Sequence, residues 1–218
     1  MNEIEGVDFA AWLRRWDAQQ AGYLPSREAR FEAMLDAVAA LAPEGLVAVD
    51  LACGPGSISQ RLLARFPAAR AVAVDLDPVL LAIGQRSLGS LGGRLRWVEA
   101  DLMTADLTRD LGETQVDAVL STTALHWLTP ERLVQVYRQI AALLRPGGVF
   151  VNGDNIPFPA RLPTFQKLAE SARARDEAAA FAGRGVEDWA TWWAAIAAEP
   201  GMRSLVAERD RRFTQRRR

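Results

Sequence analysis

Hydrophobic positions change their period twice along this chain. Near the start, Phe9, Trp12, Leu13 and Trp16 fall at helical spacing behind Asp8, which predicts a capped helix over residues 8–21. Phe31, Met34, Leu35, Val38 and Leu41 repeat the pattern behind Ser26, and Pro43 closes it, predicting a second helix over 26–41. Short apolar runs then begin. Leu46–Leu51, Ala71–Asp75, Leu95–Val98, Val116–Ser121 and Val149–Val151 read as five strands. Helical segments separate them, with Pro78 and Pro130 placed at first turns and Thr129 as a cap. From residue 153 the pattern is helical again, over 164–182 and 186–198, with no strand pair in 153–218.

Strands alternating with helices predict an α/β fold, a doubly wound and mostly parallel sheet with helices on both faces. Near-continuous apolar strands fit burial on both faces. Three stretches follow: an N-terminal helical cap over 1–43, a core over 44–152, and a helical lid over 153–218, one domain overall. The sheet would end at the fifth strand with an open edge. Edges are usually covered, so completion by a partner subunit, as in a homodimer, is one expectation.

Composition narrows the functions. The chain has 218 residues, enough for a sizeable core. Its formal net charge of -1 lacks the basic field of a nucleic-acid binder. One cysteine, Cys53, and one histidine, His126, exclude an intrachain disulfide and offer no metal-ligand cluster. The acidic start carries no apolar leader, and no run approaches a membrane span, so a cytoplasmic protein is expected. Residues 203–218 are rich in Arg, and Glu208, Asp210 and the balanced total charge predict a solvated helix or tail there.

Three sites carry candidate chemistry, each after a strand. In parallel α/β sheets, ligands sit beyond the carboxyl ends of the strands. Asp50-Leu51-Ala52-Cys53-Gly54-Pro55-Gly56 joins the first strand to a helix, and Gly54 and Gly56 permit a sharp turn and close approach. The helix that follows offers free N–H groups to an acceptor. Asp75 ends the second strand, 19 residues beyond Gly56, where a carboxylate accepts from ribose hydroxyls or caps a helix. Asp77 is also placed to cap, so both roles fit side by side. Asp101 and Leu102 follow the third strand, where Asp101 suits an adenine amino group and Leu102 the ring.

Taken in order, these three sites resemble the class I S-adenosylmethionine-dependent methyltransferases. The glycine-rich loop of that family matches Asp50, Ala52, Gly54 and Gly56, with Ala52 in place of its first glycine. Leu144-Arg145-Pro146-Gly147-Gly148-Val149-Phe150 is similar to its turn into the fifth strand. The resemblance spans about residues 30–152 and implies a Rossmann-like fold and an enzyme that uses S-adenosylmethionine as cofactor. It also implies roles. Ala52, Gly54 and Gly56 would lie along the methionine part, and Asp50 would orient the loop or reach the ammonium through water. Asp75 would hold the ribose, Leu76, Asp101 and Leu102 the adenine, and Ser121 and Thr122 would add nearby contacts.

Ser121–Leu128 resembles the matching segment of small-molecule methyltransferases of the trans-aconitate and malonyl carrier-protein group. There it borders the acceptor pocket, which brings in Tyr23, His126 and Trp127. His126 would act as a general base, orient an acceptor, or pack on Trp127. The methyl acceptor is expected to be a small molecule with a carboxylate or hydroxyl oxygen, with neither nucleic acid nor membrane as partner. Trp12, Trp16, Trp189, Trp192 and Trp193 read as helix packing, or more sharply as an aromatic wall over the pocket.

RNA methylation would predict a basic surface near the pocket, at which only the terminal Arg cluster hints, and two further alternatives remain. Gly54-Pro55-Gly56 with a later acidic residue partly fits a nicotinamide-dependent oxidoreductase, although Ser59 stands where a third Gly or Ala belongs. A non-catalytic binding protein on the same fold is the other.

Overall fold

A computed structural model describes residues 6–182 and 185–216. The five apolar runs become β1 (Val47–Leu51), β2 (Arg70–Asp75), β3 (Leu95–Glu99), β4 (Val116–Thr122) and β5 (Leu144–Gly153). All pairings are parallel and the order is β3-β2-β1-β4-β5, which places β1 at the centre. The order reverses at β1, so the crevice beyond β1 and β4 is the switch point where such sheets bind ligands.

Helices α1 (Phe9–Tyr23) and α2 (Arg27–Leu41) precede the sheet. Between strands lie α3 (Ser57–Arg65), α4 (Pro78–Leu88), the one-turn α5 (Leu107–Asp110) and α6 (Pro130–Leu143). After β5 come α7 (Pro163–Phe181), α8 (Trp189–Ala198) and α9 (Arg203–Arg216). No helix among the described residues is long and apolar enough to cross a membrane.

The period of two along each strand divides the core. Ala48, Ala71, Ala73, Ala118 and Leu120 face α2 and α3, meeting Phe31, Met34, Leu35, Ile58 and Leu62. Val49, Leu51, Val72, Val74 and Val119 face α5 and α6, meeting Leu107, Val136, Ile140 and Leu143. Small residues on the first face let α2 and α3 approach closely. A third cluster joins α1 to α4 and α8 through Trp12, Trp16, Leu80, Ile83, Trp192 and Ile196. The tryptophans of α1 and α8 are therefore packed: Trp192 lies 5.6 Å from Trp12 and 5.1 Å from Trp16 between ring centroids.

Caps follow the sequence in most places. Asp8, Asp77 and Thr129 accept N–H groups of the first turns of α1, α4 and α6. Ser26 precedes α2 as expected but makes no side-chain cap bond. β5 is longer than Val149–Val151. It starts at Leu144, directly after α6, and two steps along β4 (Val116 to Ala118) are matched by five along β5 (Leu144 to Val149). The Pro146-Gly147-Gly148 turn is thus a bulge inside the strand, with Gly147 at φ 84.

The Arg-rich end is not a solvated tail. α9 packs on α4, with Arg209 paired to the buried Asp77 at 2.7 Å and Arg212 to Glu99 at 2.7 Å. Arg209 also lies over the Trp193 ring at 3.6 Å. Total charge gives no hint of this, because the Arg side chains find acids more than a hundred residues away.

Candidate active site

The loop after β1 turns through three left-handed residues, Ala52 (φ 55), Gly54 (φ 56) and Gly56 (φ 84). Two of them are glycine, for which this conformation costs little. Ala52 carries a Cβ there at a cost of about 1–2 kcal/mol. The Cys53 N–H reaches the Val74 carbonyl, and the Gly54 N–H donates to Asp75 Oδ2 at 2.7 Å. The loop is therefore pinned to the end of β2. Asp75 Oδ1 takes the N–H groups of Leu76 and Asp77 at 2.7 and 2.8 Å. Burial raises Asp75 to a pKa of about 6 against these hydrogen bonds.

Asp50 lies beneath the loop, almost fully buried at 3 % exposure. Its Oδ2 accepts the Ser59 hydroxyl at 2.7 Å, and burial raises its pKa to about 7. Sequence reading took Ser59 only as a mismatch to a glycine pattern. Its hydroxyl is the partner that holds Asp50 to the first turn of α3.

Helix α1 covers this loop. A Cβ on Gly54 would stand 3.9 Å from Trp16 and 3.8 Å from Leu80. Asp17 of α1 accepts the Ser57 hydroxyl and an Arg27 Nη1 N–H, both at 2.9 Å, which joins the start of α3 to α1 and α2. Asp17 and Arg27 left no mark in the hydrophobic pattern, since each is a polar residue on a helix flank.

The loop after β3 is also clamped. Asp101 Oδ1 accepts the Met103 N–H at 2.7 Å, while Arg132 of α6 donates to the carbonyls of Leu102 and Ala105. The Leu102 side chain packs into the core with Val74, Leu107 and Leu111, at 7 % exposure. Leu76 is half-buried, and its carbonyl accepts from Arg212 Nη1 at 2.9 Å. Ser121 is fully buried and donates to the Leu51 carbonyl at 2.9 Å, so its hydroxyl joins β4 to β1. Thr122 is half-buried at the end of β4.

On the other side of the switch point, His126 sits in a single helical turn at Leu125–Trp127, and Leu125 anchors that turn in the core. The ring is 45 % exposed, and its Nδ1 lies 2.9 Å from both carboxylate oxygens of Asp154. Trp127 is 80 % exposed and its ring stands 5.1 Å from the imidazole. A cavity of about 510 Å³ opens beside Asp154, lined also by Tyr23, Arg30, Phe158, Glu170 and Arg173. The Tyr23 hydroxyl accepts the Trp189 N–H at 2.8 Å, linking α1 to α8 at that edge.

The residues fit S-adenosylmethionine by the chemistry of their acceptors. Asp75 uses three acceptor positions on main-chain N–H groups, and a carboxylate offers about four, so one remains for a ribose hydroxyl. The left-handed loop brings main chain, with little side chain, to the same place.

Comparison with known proteins agrees with this geometry. Residues 48–148 match a family model described as a methyltransferase domain. A trans-aconitate 2-methyltransferase of Methylobacterium nodulans is 29% identical over 211 residues, 88% of this chain and 76% of the relative. The same enzyme of Azoarcus sp. is 31% identical over 135 residues, 62% of this chain, and the match covers only 48% of that relative. Against this and several other curated relatives, the chain spans about half of their length or less. Among solved structures, an amino pentose methyltransferase from Micromonospora echinaspora with bound S-adenosylmethionine aligns at TM-score 0.54 and 26% identity, over 65% of this chain and 56% of that one. The nicotinamide alternative gains no support from these matches. Loop, sheet order and relatives together make this chain similar to the class I S-adenosylmethionine-dependent methyltransferases, with the methyltransferase-domain match confined to residues 48–148.

Proposed function

We propose that this chain transfers a methyl group from S-adenosylmethionine to an oxygen of a small acid held in the cavity between α1, α2 and α7. The observation that carries the reading is the 2.7 Å bond from Gly54 to Asp75, which sets a left-handed loop and a ribose-competent carboxylate side by side at the switch point. Bound there, the sulfonium supplies an activated methyl group, and the protein supplies binding and alignment.

The chain's residues divide that work. Ala52, Gly54 and Gly56 present main chain to the methionine part, and Asp50, buried below them, keeps the loop in place. Asp75 holds the ribose. Asp101, Leu76 and the main chain at Leu102 border the adenine, and Thr122 stands at the floor beside β4. Helix α1 excludes water above the loop, which favours methyl transfer over hydrolysis. Tyr23 and Asp154 line the acceptor side, and His126, bonded to Asp154 and stacked near Trp127, stands next to that lining. The cavity of about 510 Å³ has the size of a small-molecule site. Relatives named for trans-aconitate support an acid as acceptor. The net charge of -1 favours a small acceptor over nucleic acid, and the buried, unpaired Cys53 suits a reducing cytoplasm. Among the described residues β5 pairs with β4 alone, and its other edge suits a second copy of the chain.

Calorimetric titration with S-adenosylhomocysteine, with NADH in parallel, tests the reading. Micromolar binding of the former alone is expected. Binding of NADH alone, or of neither, would overturn it.

A further inference from the structure

Asp154 follows the last residue of β5 and is nearly buried, with only 4 % of its side chain exposed. Three N–H groups meet it. The main-chain N–H of Asn155 donates to Oδ1 at 2.8 Å, that of His126 to Oδ2 at 3.3 Å, and His126 Nδ1 lies 2.9 Å from both oxygens. An ionised carboxylate only accepts, so against it Nδ1 carries the hydrogen, which in the neutral form of the ring leaves the lone pair on Nε2. The His126 main-chain bond ties the turn after β4 to the end of β5, while the Asn155 bond is local. The ring bond strengthens that tie and also orients an imidazole that is 45 % exposed. Asp154 also lines the cavity beside α7, together with Arg30 and Arg173 and with the acids Glu170 and Asp176.

We propose that His126 is the general base of the methyl transfer, that Asp154 is its positioning residue, and that the acceptor is therefore the hydroxyl of a small hydroxy acid. This rests on the methyltransferase reading above and deepens it. A carboxylate oxygen has no proton to lose, so a held base would be idle against it. A hydroxyl must lose one. As its oxygen lone pair forms the bond to the methyl carbon, the sulfur–methyl bond breaks with its electrons passing to sulfur. The hydroxyl proton goes to His126 Nε2, and from there to solvent. Positive charge passes from sulfonium to imidazolium, where Asp154 faces it.

His126 is the chain's one histidine, so its ring nitrogens can be read without assignment. Long-range nitrogen–proton NMR of the whole protein at about pH 9, above the ordinary imidazole range, reports the tautomer. The Nδ1–H form is expected in the native protein, and the Nε2–H form in Asp154→Asn, with S-adenosylhomocysteine affinity unchanged in both. An Nε2–H ring in the native protein, or a tautomer indifferent to Asp154→Asn, overturns the proposal.

Transfer to malate and citrate, with succinate and tricarballylate as partners lacking the hydroxyl, tests the acceptor. Methylation confined to the hydroxy acids, falling about 100-fold or more in His126→Gln, is expected of a lost general base. Transfer to succinate or tricarballylate, transfer to hydroxy acids that His126→Gln leaves intact, or transfer to none of the four while S-adenosylhomocysteine binds, each overturns it. Loss of S-adenosylhomocysteine binding by the native protein would instead overturn the cofactor reading beneath it.

Discussion

The Asp75 carboxylate accepts the Gly54 N–H across the crevice from β2 to the loop after β1, at 2.7 Å. One side chain thereby shapes the loop and offers an acceptor to the ligand. Replacing Asp75 with Ala removes both. Affinity for S-adenosylhomocysteine is expected to fall by roughly 1–3 kcal/mol, the cost of lost charge-assisted bonds. Asp75→Asn keeps the size and one accepting oxygen but sets its NH2 group against at least one N–H donor and removes the charge, so it should lose nearly as much. Calorimetry on both variants checks this, and unchanged affinity would remove Asp75 from the ribose contact.

Asp50 and Asp75 make stability depend on pH with an unusual sign. Burial raises Asp50 from 3.8 to about 7 and Asp75 from 3.8 to about 6. The folded chain therefore binds these protons more tightly than the unfolded chain between about pH 4 and 7. Stability from these two groups is greatest at the acid end of that window and declines as pH rises through their folded values. The Asp50 part amounts to a few kcal/mol at most, at about 1.4 kcal/mol per unit. Urea midpoints at about pH 5, 6, 7 and 8 should fall with pH in the native protein, and less steeply in Asp50→Asn.

Ala52 holds φ 55 where a glycine would be unstrained. Ala52→Gly relieves about 1–2 kcal/mol of left-handed strain. It also loosens the unfolded chain by about 0.5–1 kcal/mol. The net gain is about 0.5–1 kcal/mol, or a rise of roughly 1–4 °C in Tm for a chain of this size. A lower Tm for the variant would show that the Ala methyl contributes packing that offsets its strain.

Arg209 neutralises Asp77, whose side chain is only 5 % exposed, and stacks on Trp193. Arg209→Ala leaves that carboxylate nearly buried without its cation, which should destabilise by about 1–3 kcal/mol. Arg209→Lys restores the charge but loses the planar stack, so it should recover part of the loss. Thermal unfolding of both variants decides whether α9 is held by this pair. Equal Tm values across the three proteins would assign the docking to other contacts.

Strands β1, β2 and β4 were legible because most of their residues are buried on both faces, which leaves a nearly unbroken apolar run, while the half-buried β3 was legible from Leu95, Trp97 and Val98. Asp50, Gly54, Gly56 and Asp75 were legible because each stands at a strand end next to a helix start. The start of β5 was hidden, since Pro146-Gly147-Gly148 reads as a turn and only pairing with Val116 and Ala118 keeps it in the sheet. Arg132 and Arg212 were hidden for another reason. They act on carbonyls of Leu102 and Leu76, and a main-chain acceptor has no signature in sequence. Asp154 was missed because a polar residue after a strand is ordinary until His126, 28 positions earlier, is placed against it.

Five of the seven tryptophans, at positions 12, 16, 189, 192 and 193, form one ring-to-ring array with neighbouring centroids 4.9–5.9 Å apart. Trp16, in contact with both Trp189 and Trp192, is the member nearest Gly54, 3.9 Å from where a Cβ there would stand. Indoles this close exchange excitation and split each other's absorption. The array is therefore an optical antenna with one member against the loop after β1, and near-ultraviolet circular dichroism reads the seating of α1 on that loop without any added label.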